Sequence, residues 1–237
     1  PLGKATRNEF DSRGRKISTV KPSGRKDTFG YDAAGNWASY VNAEGGAYTR
    51  VYDAVGRMTS ATNALGHCVM KSEYDGAGNL VRRTDGEGNV LAFAYDAANR
   101  LVSRKGTGID DAFEYDAADN VTKAKNDLCV STFGYDVRNR LTSADVSVGG
   151  KKFALAWQYH LGGLVTGVTY ESGKTVQREY DADGRLVKVT DWLGHIWRFS
   201  YDGAGKITGI MSPDGVDAVC SYDAAGQLKS WSVDGIA

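Results

Sequence analysis

The sequence predicts an all-β fold, a single strip of antiparallel β-hairpins repeated end to end, and three observations predict it. A Tyr-Asp pair returns at Tyr31-Asp32, Tyr52-Asp53, Tyr74-Asp75, Tyr95-Asp96, Tyr115-Asp116, Tyr135-Asp136, Tyr180-Asp181, Tyr201-Asp202 and Tyr222-Asp223, with variants Phe10-Asp11 and Tyr159-His160. Successive aromatic positions lie 20 to 24 residues apart, most often 21, so one period describes residues 1–237 as a continuous array of about eleven repeats. Four residues after each aromatic stands Gly14, Gly35, Gly56, Gly78, Asn99, Asp119, Asn139, Gly163, Gly184, Gly205 or Gly226. These are the three residue types that best tolerate positive φ. Between turns the chain alternates, as where Leu91, Phe93 and Tyr95 share one face and Val90, Ala92 and Ala94 the other, which is the period of a half-buried strand.

Each element follows in order along one repeat. The D-x-x-G segment suits a type I turn followed by a left-handed residue, a common hairpin connection, so the repeated Asp is first a turn former. An apolar residue then opens the outgoing strand at Trp37, Met58, Leu80, Leu101, Val121, Leu141, Val165, Leu186, Ile207 and Leu228, with Lys16 alone breaking the series. About ten residues after the first turn comes a second, as in Asn42-Ala43-Glu44-Gly45, Asn63-Ala64-Leu65-Gly66, Asp85-Gly86-Glu87-Gly88 and Asp191-Trp192-Leu193-Gly194. Pro22 and Pro213 take the second corner of equivalent turns, where a fixed φ fits. The returning strand carries an aromatic two residues before the Tyr in Phe29, Phe93, Phe113, Phe133, Trp157 and Phe199, so one face is expected to bear an aromatic ladder. Two strands and two turns per repeat give about 20 strands. The same pattern admits a five-bladed β-propeller, since two repeats make four strands and the length of one blade.

Composition narrows the function. Hydrophobic residues make up 41% of the chain, enough for an ordered fold, and 29 basic residues balance 29 acidic ones. That balance leaves no field to gather nucleic acid, and no apolar run is long enough for a membrane span or a signal peptide. Cys68, Cys129 and Cys220 stand at three phases of the repeat without a C-x-x-C pair, so three free thiols are expected and not a disulfide framework or a zinc site. The chain starts and stops within turns of the repeat, and is read as a stretch of a longer array.

No catalytic constellation, metal site or cofactor motif emerges. The ten repeated Asp residues lack the clustered oxygen partners that calcium requires. His67 and His195 share a phase but lie far apart in sequence, and His160 stands where the turn Asp belongs. Trp37, Trp192, Trp197 and Trp231 are the residues that would stack on sugar rings if the array binds glycans, although aromatics in β arrays more often form cross-strand pairs. The position after the turn alternates Asn36, Arg57, Asn79, Arg100, Asn120 and Arg140, a 42-residue super-period assigned to hydrogen bonding at the strand ends.

Y-D-x-x-G-[NR]-L followed by a second D-x-x-G turn resembles the YD repeat of Rhs proteins, as in Tyr74-Asp75-Gly76-Ala77-Gly78-Asn79-Leu80 and Tyr180-Asp181-Ala182-Asp183-Gly184-Arg185-Leu186. The resemblance implies kinship with bacterial Rhs polymorphic toxins, toxin-complex B and C components, wall-associated proteins and teneurins. It implies further a strip curved into part of a hollow shell that encloses a toxin domain or polypeptide, secreted or displayed at the cell surface, with further repeats of the parent protein as neighbours. A saccharide- or receptor-binding surface module is the alternative. The family's self-cleaving D-P-x-G-x motif is absent, so no catalytic residue carries over. About 20 strands at 4.8 Å spacing would make a ribbon roughly 100 Å long and about 20 Å wide, too narrow to enclose a folded toxin alone.

Overall fold

The structure, a computed structural model, describes residues 5–233. Within them are 22 β-strands and no helix, two strands more than the period alone suggested. The chain divides into two compact units, one ending at Phe113 and the other beginning at Glu114. The first contains β1 (Arg7–Phe10), β2 (Lys16–Val20), β3 (Lys26–Tyr31), β4 (Trp37–Val41), β5 (Ala47–Tyr52), β6 (Met58–Thr62), β7 (Cys68–Tyr74), β8 (Leu80–Asp85), β9 (Val90–Tyr95) and β10 (Leu101–Gly106), and β11 (Ile109–Tyr115) runs across the division. The second contains β12 (Val121–Lys125), β13 (Cys129–Tyr135), β14 (Leu141–Val148), β15 (Lys151–Tyr159), β16 (Val165–Tyr170), β17 (Thr175–Tyr180), β18 (Leu186–Thr190), β19 (Ile196–Tyr201), β20 (Ile207–Met211), β21 (Asp217–Tyr222) and β22 (Leu228–Val233).

Every strand pairs antiparallel with its successor from β1 to β11. The same holds from β12 to β22. A propeller interrupts its ladder after each four-stranded blade, and neither run shows such a break. The five-bladed alternative is therefore set aside in favour of a hairpin meander that runs uninterrupted within each unit.

The first turn of each repeat has one geometry. In the copy at Asp75, the Gly78 N–H donates to the Asp75 carbonyl at 3.1 Å and the Asp75 N–H to the Asn79 carbonyl at 3.0 Å, which closes a type I turn with a bulge residue. That residue needs positive φ, and all eleven fourth positions have it, from 59° at Asn139 to 96° at Gly35. The ladder shifts register beside the turn in consequence, for example between Glu73 and Tyr74. Most second turns use the same device, as where Gly24 donates to the Lys21 carbonyl across Pro22 and Gly215 to the Ser212 carbonyl across Pro213, while those at Thr107-Gly108, Asn126–Cys129 and Gly149-Gly150 are shorter. The 24-residue repeat takes up its extra length in β14 and β15, which extend to Val148 and Lys151 around Gly149-Gly150.

Within each unit, strands touch only their neighbours in sequence, so no second layer covers the sheet. Val168 is the single buried apolar side chain among the described residues, and Ser18, Asp27 and Ser72 are the buried polar ones. The two faces still differ. In β9 and β19 the aromatic positions Phe93, Tyr95, Trp197, Phe199 and Tyr201 are half-buried, while Ala92, Ala94, Arg198 and Ser200 on the other face are exposed. Neighbouring side chains on one face thus cover one another in place of a two-layer core.

Candidate functional site: the stapled turn edge

The repeated residues converge on the edge formed by the first turns. The Asp carboxylate is consumed there by its own turn. Asp53 Oδ1 accepts the N–H of Val55 at 3.0 Å and of Arg57 at 2.9 Å, and Oδ2 takes the Arg57 Nε–H at 2.7 Å. Asp11, Asp96, Asp136 and Asp181 repeat this with Arg15, Arg100, Arg140 and Arg185. The arginine's backbone N–H is the largest cause holding these five carboxyls below the ordinary Asp value. In Asp32 and Asp75, and in Asp85 of a second turn, the side-chain amide of Asn36, Asn79 or Asn89 is the largest cause of the same shift. Asp202 and Asp223 receive the N–H of Lys206 and Gln227. His160 explains its own substitution, because its Nδ1 accepts the Gly162 N–H at 3.0 Å as an Asp oxygen would.

The tyrosine does something the sequence did not disclose. Its hydroxyl donates to the carbonyl of the residue that opens the strand of the preceding repeat: Tyr31 to Lys16, Tyr52 to Trp37, Tyr74 to Met58, Tyr95 to Leu80, Tyr135 to Val121, Tyr159 to Leu141, Tyr180 to Val165, Tyr201 to Leu186 and Tyr222 to Ile207, all at 2.6 to 3.1 Å. The reason lies in the ladder. Pairing of β2 with β3 stops at Ser18 opposite Thr28, and pairing of β6 with β7 at Ser60 opposite Lys71, two residues short of Lys16 and Met58. The carbonyl stranded where the strands splay is claimed by the phenol, so each of these nine tyrosines staples its repeat to the one before. The readable signal was that ten of eleven copies are Tyr, while the position two residues earlier is usually Phe or Trp.

The residue after the turn completes the joint. The guanidinium of Arg15, Arg57, Arg140 and Arg185 lies 4.5 to 5.3 Å from the centroid of Tyr31, Tyr74, Tyr159 and Tyr201 respectively, and the Lys206 ammonium 4.9 Å from that of Tyr222. Lys16, the exception in the apolar series, sets its ammonium 4.4 Å from the Phe29 centroid, so its stem occupies the face that apolar residues cover elsewhere.

The remaining candidates are dispersed. No group of three or more His, Cys, Asp or Glu able to hold a metal occurs among the described residues. His195 Nδ1 is bonded to Asp191 Oδ2 at 2.9 Å within the second turn, and the His67 N–H caps Asn63 in the equivalent one. Cys68, Cys129 and Cys220 are free and half-buried. The expected aromatic ladder is local: Phe29, Tyr40 and Tyr48 follow one another at 5.4 and 5.6 Å with Trp37 beside them, and Tyr170 meets Trp192 at 6.2 Å. Trp197 pairs across the ladder with Val189, and Trp231 is exposed opposite Cys220.

This architecture of tyrosine-stapled hairpins defines a YD-type repeat protein. The RHS Repeat family model matches residues 10–47, 31–67, 74–109, 159–196 and 180–217, together more than half of the sequence, and the chain belongs to that family. Among curated protein sequences none matches significantly. Solved structures share the fold. A TcdB2-TccC3-Cdc42 crystal structure aligns over 96% of this chain with a TM-score of 0.57 at 15% identity, and TcdB2-TccC3 without its hypervariable C-terminal region does so with 0.57 at 14%. A Tc holotoxin pore from Photorhabdus luminescens aligns over 92% with a TM-score of 0.52 at 14% identity. The chain spans only 15 to 16% of the length of those chains.

Proposed function

We propose that this chain is a non-enzymatic stretch of wall, one continuous array within a longer secreted or surface-delivered bacterial protein, whose repeats enclose a toxin or another polypeptide. The observation that carries the reading is the single-layered meander whose repeats are joined, one to the next, by a phenol, a cation or amide, and a backbone ladder. A one-layer sheet has no two-layered core of its own, but it suits a wall, where each added repeat supplies its own joint. Family membership and the fold shared with TcdB2-TccC3 support the same reading. The repeated Asp carboxylates and the imidazoles of His160 and His195 are spent on turns. The test is protease protection in the parent protein: an enclosed polypeptide should resist digestion until the wall is denatured. Digestion at the same rate before and after denaturation would refute enclosure.

The row of Phe29, Tyr40, Tyr48 and Trp37 favours a second reading, a saccharide- or receptor-binding module, because Trp37 and Tyr48 are exposed. Arg50, however, already lies 3.8 Å from the Trp37 centroid and covers one face of it. Glycan-array binding that is lost in Trp37→Ala would select this reading.

A further inference from the structure

The alternation of Arg and Asn after the first turn is matched by the residue facing it in the next repeat. Arg15, Arg57, Arg140, Leu164, Arg185 and Lys206 each precede a repeat whose fourth turn residue is glycine: Gly35, Gly78, Gly163, Gly184, Gly205 and Gly226. The side chains of Arg15, Arg57, Leu164, Arg185 and Lys206 reach that glycine, whereas Arg140 leaves Gly163 open and caps its turn instead. A Cβ placed on Gly35 would meet Arg15 Nη1 at 3.4 Å, one on Gly78 would meet Arg57 Nη1 at 3.5 Å, and one on Gly184 would meet Leu164 Cδ1 at 3.5 Å. Arg57, Arg140 and Lys206 also donate to carbonyls of the following turn, those of Asp75, His160 and Gly226. The short Asn79 and Asn120 leave that space open, and the next turn fills it with Asn99 and Asn139, which accept their amide N–H at 2.8 and 3.0 Å. Both accepting residues hold the left-handed conformation that asparagine tolerates.

We propose that these two positions form a matching code between repeats: a long side chain after one turn is matched by glycine at the fourth position of the next turn, and an asparagine there accepts a second asparagine. The code acts at the interface between consecutive repeats. It fixes which repeat can stand beside which, and it discriminates against skipped or exchanged neighbours along an array whose ladders alone are nearly identical. Arg100 is followed by Asp119 at the fourth position of the next turn, so glycine is not the sole match to a long side chain.

The test uses the full 237-residue chain and its melting temperature. Gly78→Asn, facing Arg57, should lower Tm by several degrees. The pair Arg57→Asn with Gly78→Asn should recover most of that loss by recreating the joint seen between Asn79 and Asn99. Gly56→Asn, which faces Asn36, should leave Tm unchanged or raise it, and this control separates the code from the general cost of replacing a turn glycine. Should Gly78→Asn prevent folding, the reverse exchange reports independently: Asn79→Arg should be destabilising and Asn99→Gly should rescue it. Equal losses for Gly78→Asn and Gly56→Asn, or no rescue in either double variant, would overturn the code.

Discussion

Replacing Tyr74 by phenylalanine isolates one staple. The ring stays, and with it the packing of Arg57, whose guanidinium is 4.6 Å from the ring centroid, so the change removes only the hydroxyl that donates to Met58 at 3.0 Å. A hydrogen bond of this kind contributes about 1 kcal/mol net, and the Met58 carbonyl left behind is only partly shielded, so water limits the additional penalty. A loss of about 1 kcal/mol lowers Tm by roughly 2–4 °C in a chain of this size. Non-adjacent staples share no partner and should add, so Tyr31→Phe, Tyr74→Phe, Tyr180→Phe and Tyr222→Phe together should cost about 4 kcal/mol. The assay is urea or thermal denaturation followed by circular dichroism. The control is Tyr48→Phe, since Tyr48 sits in the aromatic row, 5.6 Å from Tyr40, and its hydroxyl makes no hydrogen bond among the described residues. If Tyr74→Phe melts with Tyr48→Phe and the wild type, the staple contributes nothing and the account of the repeat joint fails.

Gly78→Val places a β-branched residue at φ 95° and should cost well over about 1 kcal/mol, while Gly76→Ala, with open space around it, should stay within about 0.5 kcal/mol; equal melting of the two variants would contradict the turn geometry. Acid should loosen the turn edge. The carboxyls of Asp11, Asp32, Asp53, Asp75, Asp96, Asp136 and Asp181 are held below the ordinary value of 3.8, so the unfolded chain takes up their protons at higher pH. Their contribution is therefore complete above that value and is lost as pH falls through the folded values, and Tm measured from pH 6 down to pH 2 should drop below about pH 4. A flat profile would show that the turns do not depend on their carboxylates. Calcium, zinc or a chelator should leave Tm unchanged, because the turn carboxylates are already satisfied; a shift with stoichiometric metal found by elemental analysis would refute this.

The sequence disclosed the hairpin period and the turns because both rest on local backbone demands. Asn99, Asp119 and Asn139 were readable as left-handed positions alongside the glycines, and Pro22 and Pro213 as turn corners, since φ preferences belong to single residues. The choice of strip over propeller rested in the sequence only on the similar turns at both ends of every copy, because a 42-residue double period suits both folds; the pairing of consecutive strands decides it. The staples were hidden for another reason. The acceptor is a backbone carbonyl that Lys16, Trp37 or Met58 supplies equally well, so nothing in the sequence marks it. The Asn/Arg super-period was visible, but its meaning needed the facing residue one repeat on.

Cryo-electron microscopy of the parent protein tests the central claim most directly. These hairpins should run side by side in the wall of a closed cavity that contains polypeptide density, with Tyr74 and its counterparts bonded to the preceding repeat. A stretch bathed by solvent on both faces, with no enclosed density, would contradict it.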